Sequence, residues 1–123
     1  MPLNVELVSP ERPLWSGEAS MVVAKTVEGD LGVLPGHAPL LAVLANGVVR
    51  IDATEGEGVS ALVLGGFLSV ADDRVSILAE STERVDEIDT AAAESALREA
   101  EESGDDAAAD QARARLAAAH AAS

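Results

Sequence analysis

The chain has no cysteine and no tyrosine, and its only lysine is Lys25. Lack of thiols excludes disulfides, thiolate metal sites and cysteine nucleophiles together, and fits a reducing compartment. The aromatic set is Trp15 and Phe67, so the core has to be aliphatic. Positive charge is scarce too: 8 Lys and Arg face 22 Asp and Glu, a net charge of −14. Nucleic-acid backbones and anionic lipid surfaces both require clustered cations, and this balance argues against either as a partner. Long apolar runs are also missing. The longest, Ala38 to Val49, falls short of the roughly 20 residues a membrane helix needs and is broken by Asn46 and Gly47. The N-terminus has no basic segment followed by an apolar one, so it does not read as a signal peptide, and the chain is expected to be soluble. A length of 123 residues allows one domain with a small appendage.

What is present falls into two halves of different periodicity. From Leu3 to about Ala79 the segments are short, rich in Val, Leu and Ile, and punctuated by Gly, Pro and Asp. Leu3, Val5 and Leu7 alternate with polar residues at the period of a half-buried strand. Pro10, Pro13 and Ser16-Gly17 then break the chain before a second strand over Ser20 to Lys25, and Val27 to Asp30 is a turn signal. Asn46-Gly47, flanked by Leu40–Leu44 and Val48–Asp52, predicts a tight hairpin. Val59–Leu64 and Phe67–Val70 read as two strands parted by Gly65-Gly66, and Asp72-Asp73 turns the chain into Val75–Ala79. Turns at this spacing indicate a sandwich or barrel, so this half is all-β.

After Ala79 an acidic approach, Glu80 to Asp89, leads into a segment dominated by alanine. Ala93, Ala96, Leu97 and Ala100 form one face of a helix, with Asp89 or Thr90 as its N-cap and Glu94–Arg98 as an i, i+4 pair. Ser103-Gly104 stops this helix and Asp105-Asp106 starts another, whose stripe is Ala109, Ala112, Leu116 and Ala119. The result is a two-helix hairpin over 87–123 behind a β domain over 1–86. Its stripes hold only Leu97 and Leu116 as large apolar groups, and helices this short are marginal alone in water, so the hairpin depends on docking. Residue by residue, two readings stay open: a hairpin that detaches and changes state, or a solubilising tail that never moves.

Little in the chain suggests catalysis. His37 and His120 lie in different halves with no partnered carboxylate pattern, which does not make a metal site. Nucleophile-elbow, phosphate-loop, zinc-protease and dinucleotide motifs are all missing. Asp72-Asp73 and the acids of 80–89 read as turns and caps. No convergent polar cluster argues for a small β-fold enzyme.

Four blocks in order carry a resemblance: EGDLGVLPGHAPLL (28–41), GVVRI (47–51), GGFLSV (65–70) and VSILAE (75–80), with the opening LNVELVSPERPLWSGEA (3–19) in support. Together they resemble the epsilon subunits of bacterial F-type ATP synthases, the counterpart of mitochondrial delta, over essentially the whole chain. The resemblance implies a ten-stranded flattened β-sandwich followed by a helical hairpin. It also implies a non-catalytic central-stalk subunit that binds gamma and the ring of c subunits and couples ion-driven rotation to the alpha/beta head. Membrane association would come only through that complex, at the cytoplasmic face of the cell membrane. On this analogy Glu28, Gly29 and Asp30 face the c ring, and His37 and Pro39 face gamma.

The hairpin departs from the family pattern. Members that bind ATP carry Ile-Asp-x-x-Arg-Ala at the first helix, whereas here Ile88 and Asp89 are followed by Ala92 where arginine belongs. Gln111 stands where those members carry another arginine, one turn before Arg115. Without these guanidinium groups no nucleotide or other cofactor is expected. Inhibitory members extend a basic second helix toward an acidic segment of beta. This one offers Arg113, Arg115 and His120 among many acids, so weak inhibition is expected, with Asp89, Arg113 and Arg115 as the regulatory residues of the hairpin. The alternative is a free-standing β-sandwich binding module with a helical tail.

Overall fold

The computed structural model describes residues 2–11 and 13–122, apart from the side chains of 121 and 122. The outermost residues of the two expected domains, 1 and 123, therefore lie outside the described residues. Seven strands come first: β1 (Leu3–Val8), β2 (Pro13–Thr26), β3 (Gly29–Val33), β4 (Leu40–Val43), β5 (Gly47–Ala53), β6 (Val59–Ala71) and β7 (Arg74–Arg84). A 3-10 turn, Val85–Glu87, leads to helices α1 (Thr90–Ser103) and α2 (Asp106–Ala122). Strand pairing closes into a ring, β1-β7-β6-β5-β2 and back to β1, with β1–β7 parallel and the other pairs antiparallel. β3 adds to β2 and β4 to β6. Closure leaves few free edges, so the small sandwich exposes little unpaired backbone.

Ten strands were expected and seven are found among the described residues, because β2, β6 and β7 are long and each takes part in both halves of the sandwich. β2 does not break at Ser16-Gly17: it pairs with β1 as far as Ala19, then with β5 and β3 up to Thr26. Likewise β6 runs through Gly65-Gly66 in one register with β7.

The expected tight hairpin at Asn46-Gly47 does not form. β4 and β5 both pair with β6, in a single register: Leu40 opposite Val70, Val43 opposite Phe67, Gly47 opposite Val63 and Ile51 opposite Val59. The two strands are consecutive stretches of one line, and Leu44 N–H bridges the interval by donating to the Gly66 carbonyl (2.9 Å). Asn46 spends its side chain on α2, where its amide donates to Asp110 (2.8 Å).

At the level of that interval the inward-facing set changes phase on β6, on β2 and along the β4–β5 line. On β6 it passes from Val59, Ala61 and Val63 to Leu68 and Val70, and on the β4–β5 line from Leu44 to Val49 and Ile51. A bulge between Ala19 and Met21 makes the same correction on β2, moving burial from Ala19 to Val22 and Ala24. A period-two pattern can change face only through such an irregularity. Gly66 supplies it on β6 with φ 122°, and a Cβ there would collide with the Leu78 carbonyl. The core that results is aliphatic as expected: Leu3, Leu7, Val22, Ile51, Leu68, Ile77 and their neighbours are buried, and Trp15 packs at its margin. Each such aliphatic side chain contributes about 1.5–3 kcal/mol when fully buried.

The hairpin forms as the caps predict. Asp89 accepts the Ala92 N–H (3.1 Å), Asp105 accepts that of Ala108 (3.1 Å), and Gly104 closes α1 in the left-handed conformation with φ 73°. Ala93 and Ala100 face Ala109 and Ala112, whose small side chains let the two helices approach closely. Ala96 of the expected stripe is exposed. The expected Glu94–Arg98 ion pair is not among those formed by the described residues, in keeping with the few tenths of a kcal/mol such exposed pairs contribute. The hairpin meets the sandwich chiefly through α2. Ala114 and Ala118 lie over Leu62, Leu64, Val48, Val85 and Ile88 in a second, smaller apolar cluster. Those two alanines, absent from the expected stripe, are the docking face.

Candidate partner-binding surfaces

Three surfaces arise from this framework. The first is the β2–β3 turn. Thr26 Oγ1 donates to the Gly29 carbonyl (2.7 Å) and accepts the Glu28 N–H (3.2 Å), so one hydroxyl clamps both sides of Val27-Glu28. Gly29 and Asp30, expected within the turn, open β3 instead, and Glu28, Gly29 and Asp30 are all exposed. The base of the turn is fastened to β4 and the residues after it: Val27 N–H donates to the Val43 carbonyl (3.0 Å) and Ala45 N–H to that of Lys25 (2.9 Å). The structure thus brings Glu28, Gly29 and Asp30 together on a rigid, anionic loop.

The second surface begins at the loop carrying His37 and Pro39, at the other end of β4. His37 N–H closes a turn onto the Leu34 carbonyl (3.1 Å), and its ring Nδ1 donates to the Ala38 carbonyl (2.7 Å). Gly36 N–H donates to the Asp73 carboxylate (2.7 Å), which pins the loop to the β6–β7 turn. From here β4 leads into an apolar outer face that the sequence reading missed. Val43 pairs with Phe67 and Phe67 with Leu78, side by side across β4, β6 and β7, and Leu41 lies on the same face of β4. Leu41 is 71% exposed, and Phe67 and Leu78 are 51% exposed each. Outward apolar residues on the other half of β6, Leu62 and Leu64, are covered by α2; these are bare. Val27 and Leu34 are exposed as well, but only these four form a contiguous apolar row across paired strands, which marks an interaction face. Its sequence signal was the wholly apolar run at 40–44, which does not by itself say which residues face outward.

The third surface is the seam between hairpin and sandwich. Arg115 donates Nε and Nη2 to the two carboxylate oxygens of Glu83 (3.1 and 3.3 Å). Arg113 reaches Glu101 across the hairpin (3.7 Å), and Asp89 is occupied as an N-cap. The three regulatory candidates are therefore not brought together: each is engaged with a different partner. A cleft of about 490 Å³ opens beside the ion pair and is lined in part by Glu83, Glu87, Gln111 and Arg115. Ala92 does not line it.

A closed β-sandwich with an exposed apolar row and a docked helical hairpin defines a protein with a face suited to a partner. Residues 2–85 match the family model for the ATP synthase delta/epsilon chain β-sandwich domain. The ATP synthase epsilon chain of Streptomyces griseus is 54% identical over 114 residues, covering 93% of this chain and 92% of that one. That of Corynebacterium diphtheriae is 57% identical over 97 residues, covering 78% and 79%. Among solved structures, a chain of the Euglena gracilis mitochondrial ATP synthase (OSCP/F1/c-ring) superposes with a TM-score of 0.78 at 26% identity, covering 98% of this chain and 81% of that one. A chain of the Tetrahymena thermophila mitochondrial ATP synthase central stalk/c-ring shares the fold at a TM-score of 0.68 and 21% identity, covering 97% of each. The chain belongs to the ATP synthase delta/epsilon family, and its match to the Streptomyces griseus epsilon chain is nearly end to end.

Proposed function

We propose that this chain is a non-catalytic central-stalk subunit of a bacterial F-type ATP synthase, at the cytoplasmic face of the membrane, coupling ion-driven rotation of the c ring to the alpha/beta head through gamma. The observation that carries this reading is the 54% identity to a bacterial epsilon chain over 93% of this chain and 92% of that one. In it residues 1–86 are the rotor-binding unit and 87–123 the regulatory one. The rigid Glu28-Gly29-Asp30 loop meets the polar side of the c ring. The His37–Pro39 loop and the bare row of Leu41, Val43, Phe67 and Leu78 meet gamma. An apolar row of this kind suits a stable, largely dehydrated contact, as a torque-bearing joint requires.

The hairpin binds no nucleotide: Ala92 leaves the first helix, and Gln111 the cleft, without the arginines of ATP-binding members, and Arg115, the only cation among the cleft's lining residues, is already paired with Glu83. Its inhibitory effect on hydrolysis is weak, since Arg113 and Arg115 sit among acids and an extended helix would carry those acids toward an acidic surface. A mild-detergent pull-down of the tagged chain from membranes tests the assignment: recovery of alpha, beta, gamma and c supports it, and recovery of the chain alone or with unrelated partners overturns it. Truncation after Ile88 tests the hairpin, where a rise in ATP hydrolysis of about tenfold, the equivalent of 1.4 kcal/mol, contradicts weak inhibition.

A further inference from the structure

The seam between α2 and the sandwich is apolar but thin. Alanine methyls, at Ala114 and Ala118, are what α2 presents to Leu62 and its neighbours. Such a contact hides a face without specifying a position, because small side chains slide over a flat surface at little cost. Two polar contacts fix the position. Asp110, one turn before Ala114 on the same row of the helix, accepts from Asn46 (2.8 Å). Arg115, on the neighbouring row, makes its two-point contact with Glu83. Glu83 projects toward α2 because it pairs across the strands with Leu62, which lies beneath the helix.

The ion pairs of the described residues are not equivalent. Arg50–Asp52 lies within one strand and Arg113–Glu101 within the hairpin, and all four of those side chains are about half exposed or nearly so. Arg115–Glu83 joins hairpin to sandwich, and its side chains are only 25% and 31% exposed. A planar guanidinium bonded at two points to a carboxylate is directional as well as attractive, and partial burial keeps water and salt from competing with it fully. We propose that the Glu83–Arg115 pair is the latch that holds the helical hairpin down on the sandwich, with Asn46–Asp110 as a weaker second point. The chain supplies this latch itself, in a cleft whose remaining charged lining residue is Glu87. Hairpin release is then a competition for Arg115 or Glu83, won by any partner surface that pairs with one of them. This inference goes beyond the central-stalk reading and is tested on the chain in solution.

The test is amide hydrogen exchange on the full chain, comparing wild type with Glu83→Gln, Arg115→Gln and the exchanged pair Glu83→Arg with Arg115→Glu. An undocked helix opens far more often than one packed on a folded domain, so faster exchange across α2 reports release. Each single substitution is expected to accelerate α2 exchange by about tenfold, the exchanged pair to return most of the protection, and Asn46→Ala to have a smaller effect. Glu83 lies outside the helix, so acceleration in Glu83→Gln cannot come from altered helix propensity. Exchange across β1, which reports the sandwich itself, is expected to stay at the wild-type rate. An unchanged α2 rate in Glu83→Gln overturns the proposal, as does failure of the exchanged pair to exceed the singles in protection. Acceleration of β1 in step with α2 overturns it too, because the pair would then support the whole fold rather than the hairpin.

Discussion

Phe67 lies directly opposite Leu78 on adjacent strands, and the two side chains stand half exposed on the outer face of the sandwich. Directly opposed residues have Cβ atoms within about 5.5 Å, so with Val43 on the other side of Phe67 they make a continuous ridge. Because each side chain is half exposed in the isolated chain, Phe67→Ala and Leu78→Ala should each cost its stability only about 1 kcal/mol. On the proposal that this ridge meets gamma, the same substitutions remove apolar contact from that joint, and each should weaken binding to gamma by about tenfold or more. Urea unfolding of the isolated chain and titration of gamma with each variant measure the two quantities separately. Loss of stability without loss of binding would place the ridge outside the interface.

Gly66 is the position at which β6 changes face, and both of its constraints oppose a side chain. Its φ of 122° lies where L-residues are strained, and the Leu78 carbonyl occupies the space a Cβ needs. Gly66→Ala must therefore break the β6–β7 ladder locally or shift a backbone that is paired on both sides. Loss of at least about 3 kcal/mol is expected, whereas an ordinary strand glycine replaced by alanine without collision gains about 0.5–1 kcal/mol. Denaturant unfolding measures the difference directly. A variant as stable as wild type would mean that the strand relaxes at no cost, contrary to the single register that holds on both sides of Gly66.

The alternation of Leu3, Val5 and Leu7 was legible because that strand keeps one phase from end to end. β6 was not, since its inward set changes parity at Gly65-Gly66, which makes one long strand look like two short ones. The Asn46-Gly47 pair misled for a related reason: the dipeptide has the composition of a turn, but β4 and β5 continue along one partner and Asn46 is committed to a helix 64 positions away in sequence. No local pattern encodes a contact at that separation. Helix caps at Asp89, Gly104 and Asp105 were legible because capping is decided within four residues. Of the candidate site residues, the loop at 28–30 and the loop at 37–39 could be found from their blocks. The ridge at 43, 67 and 78 could not, because it exists only once three strands are in register.

Asp73 combines two tasks that favour different residues. It occupies the second position of the two-residue turn between β6 and β7 with φ 60°, next to Asp72 at 50°, the geometry in which glycine is preferred. Yet its carboxylate accepts the Gly36 N–H, and its carbonyl accepts that of Asn4 (2.8 Å). Asp73→Gly should therefore ease the turn while freeing the loop that carries His37, leaving net stability within about 1 kcal/mol of wild type. Asp73→Ala loses the carboxylate and keeps the strain, and should cost about 1–2 kcal/mol. Unfolding free energies of both variants, read with amide exchange at Gly36, separate the turn from the tether. Unaltered exchange at Gly36 in both would show that the loop is held by other contacts.

Leu62 and Leu68 lie on the same strand, are both fully buried, and answer to different elements. Leu68 packs in the sandwich core, whereas Leu62 faces outward beneath Ala118 of α2. Leu68→Ala leaves a cavity among strands that are paired on both sides and cannot close around it, so about 2–5 kcal/mol of global stability should be lost. Leu62→Ala leaves its gap at a seam that can open, so the loss should be confined to docking of the hairpin. Circular dichroism separates the two. The Leu62 variant should lose helical signal at lower urea than the sandwich unfolds, splitting one transition into two, while the Leu68 variant should shift both signals together. Coincident transitions in the Leu62 variant would mean that hairpin and sandwich unfold as one cooperative unit, and that the hairpin does not leave while the sandwich stands.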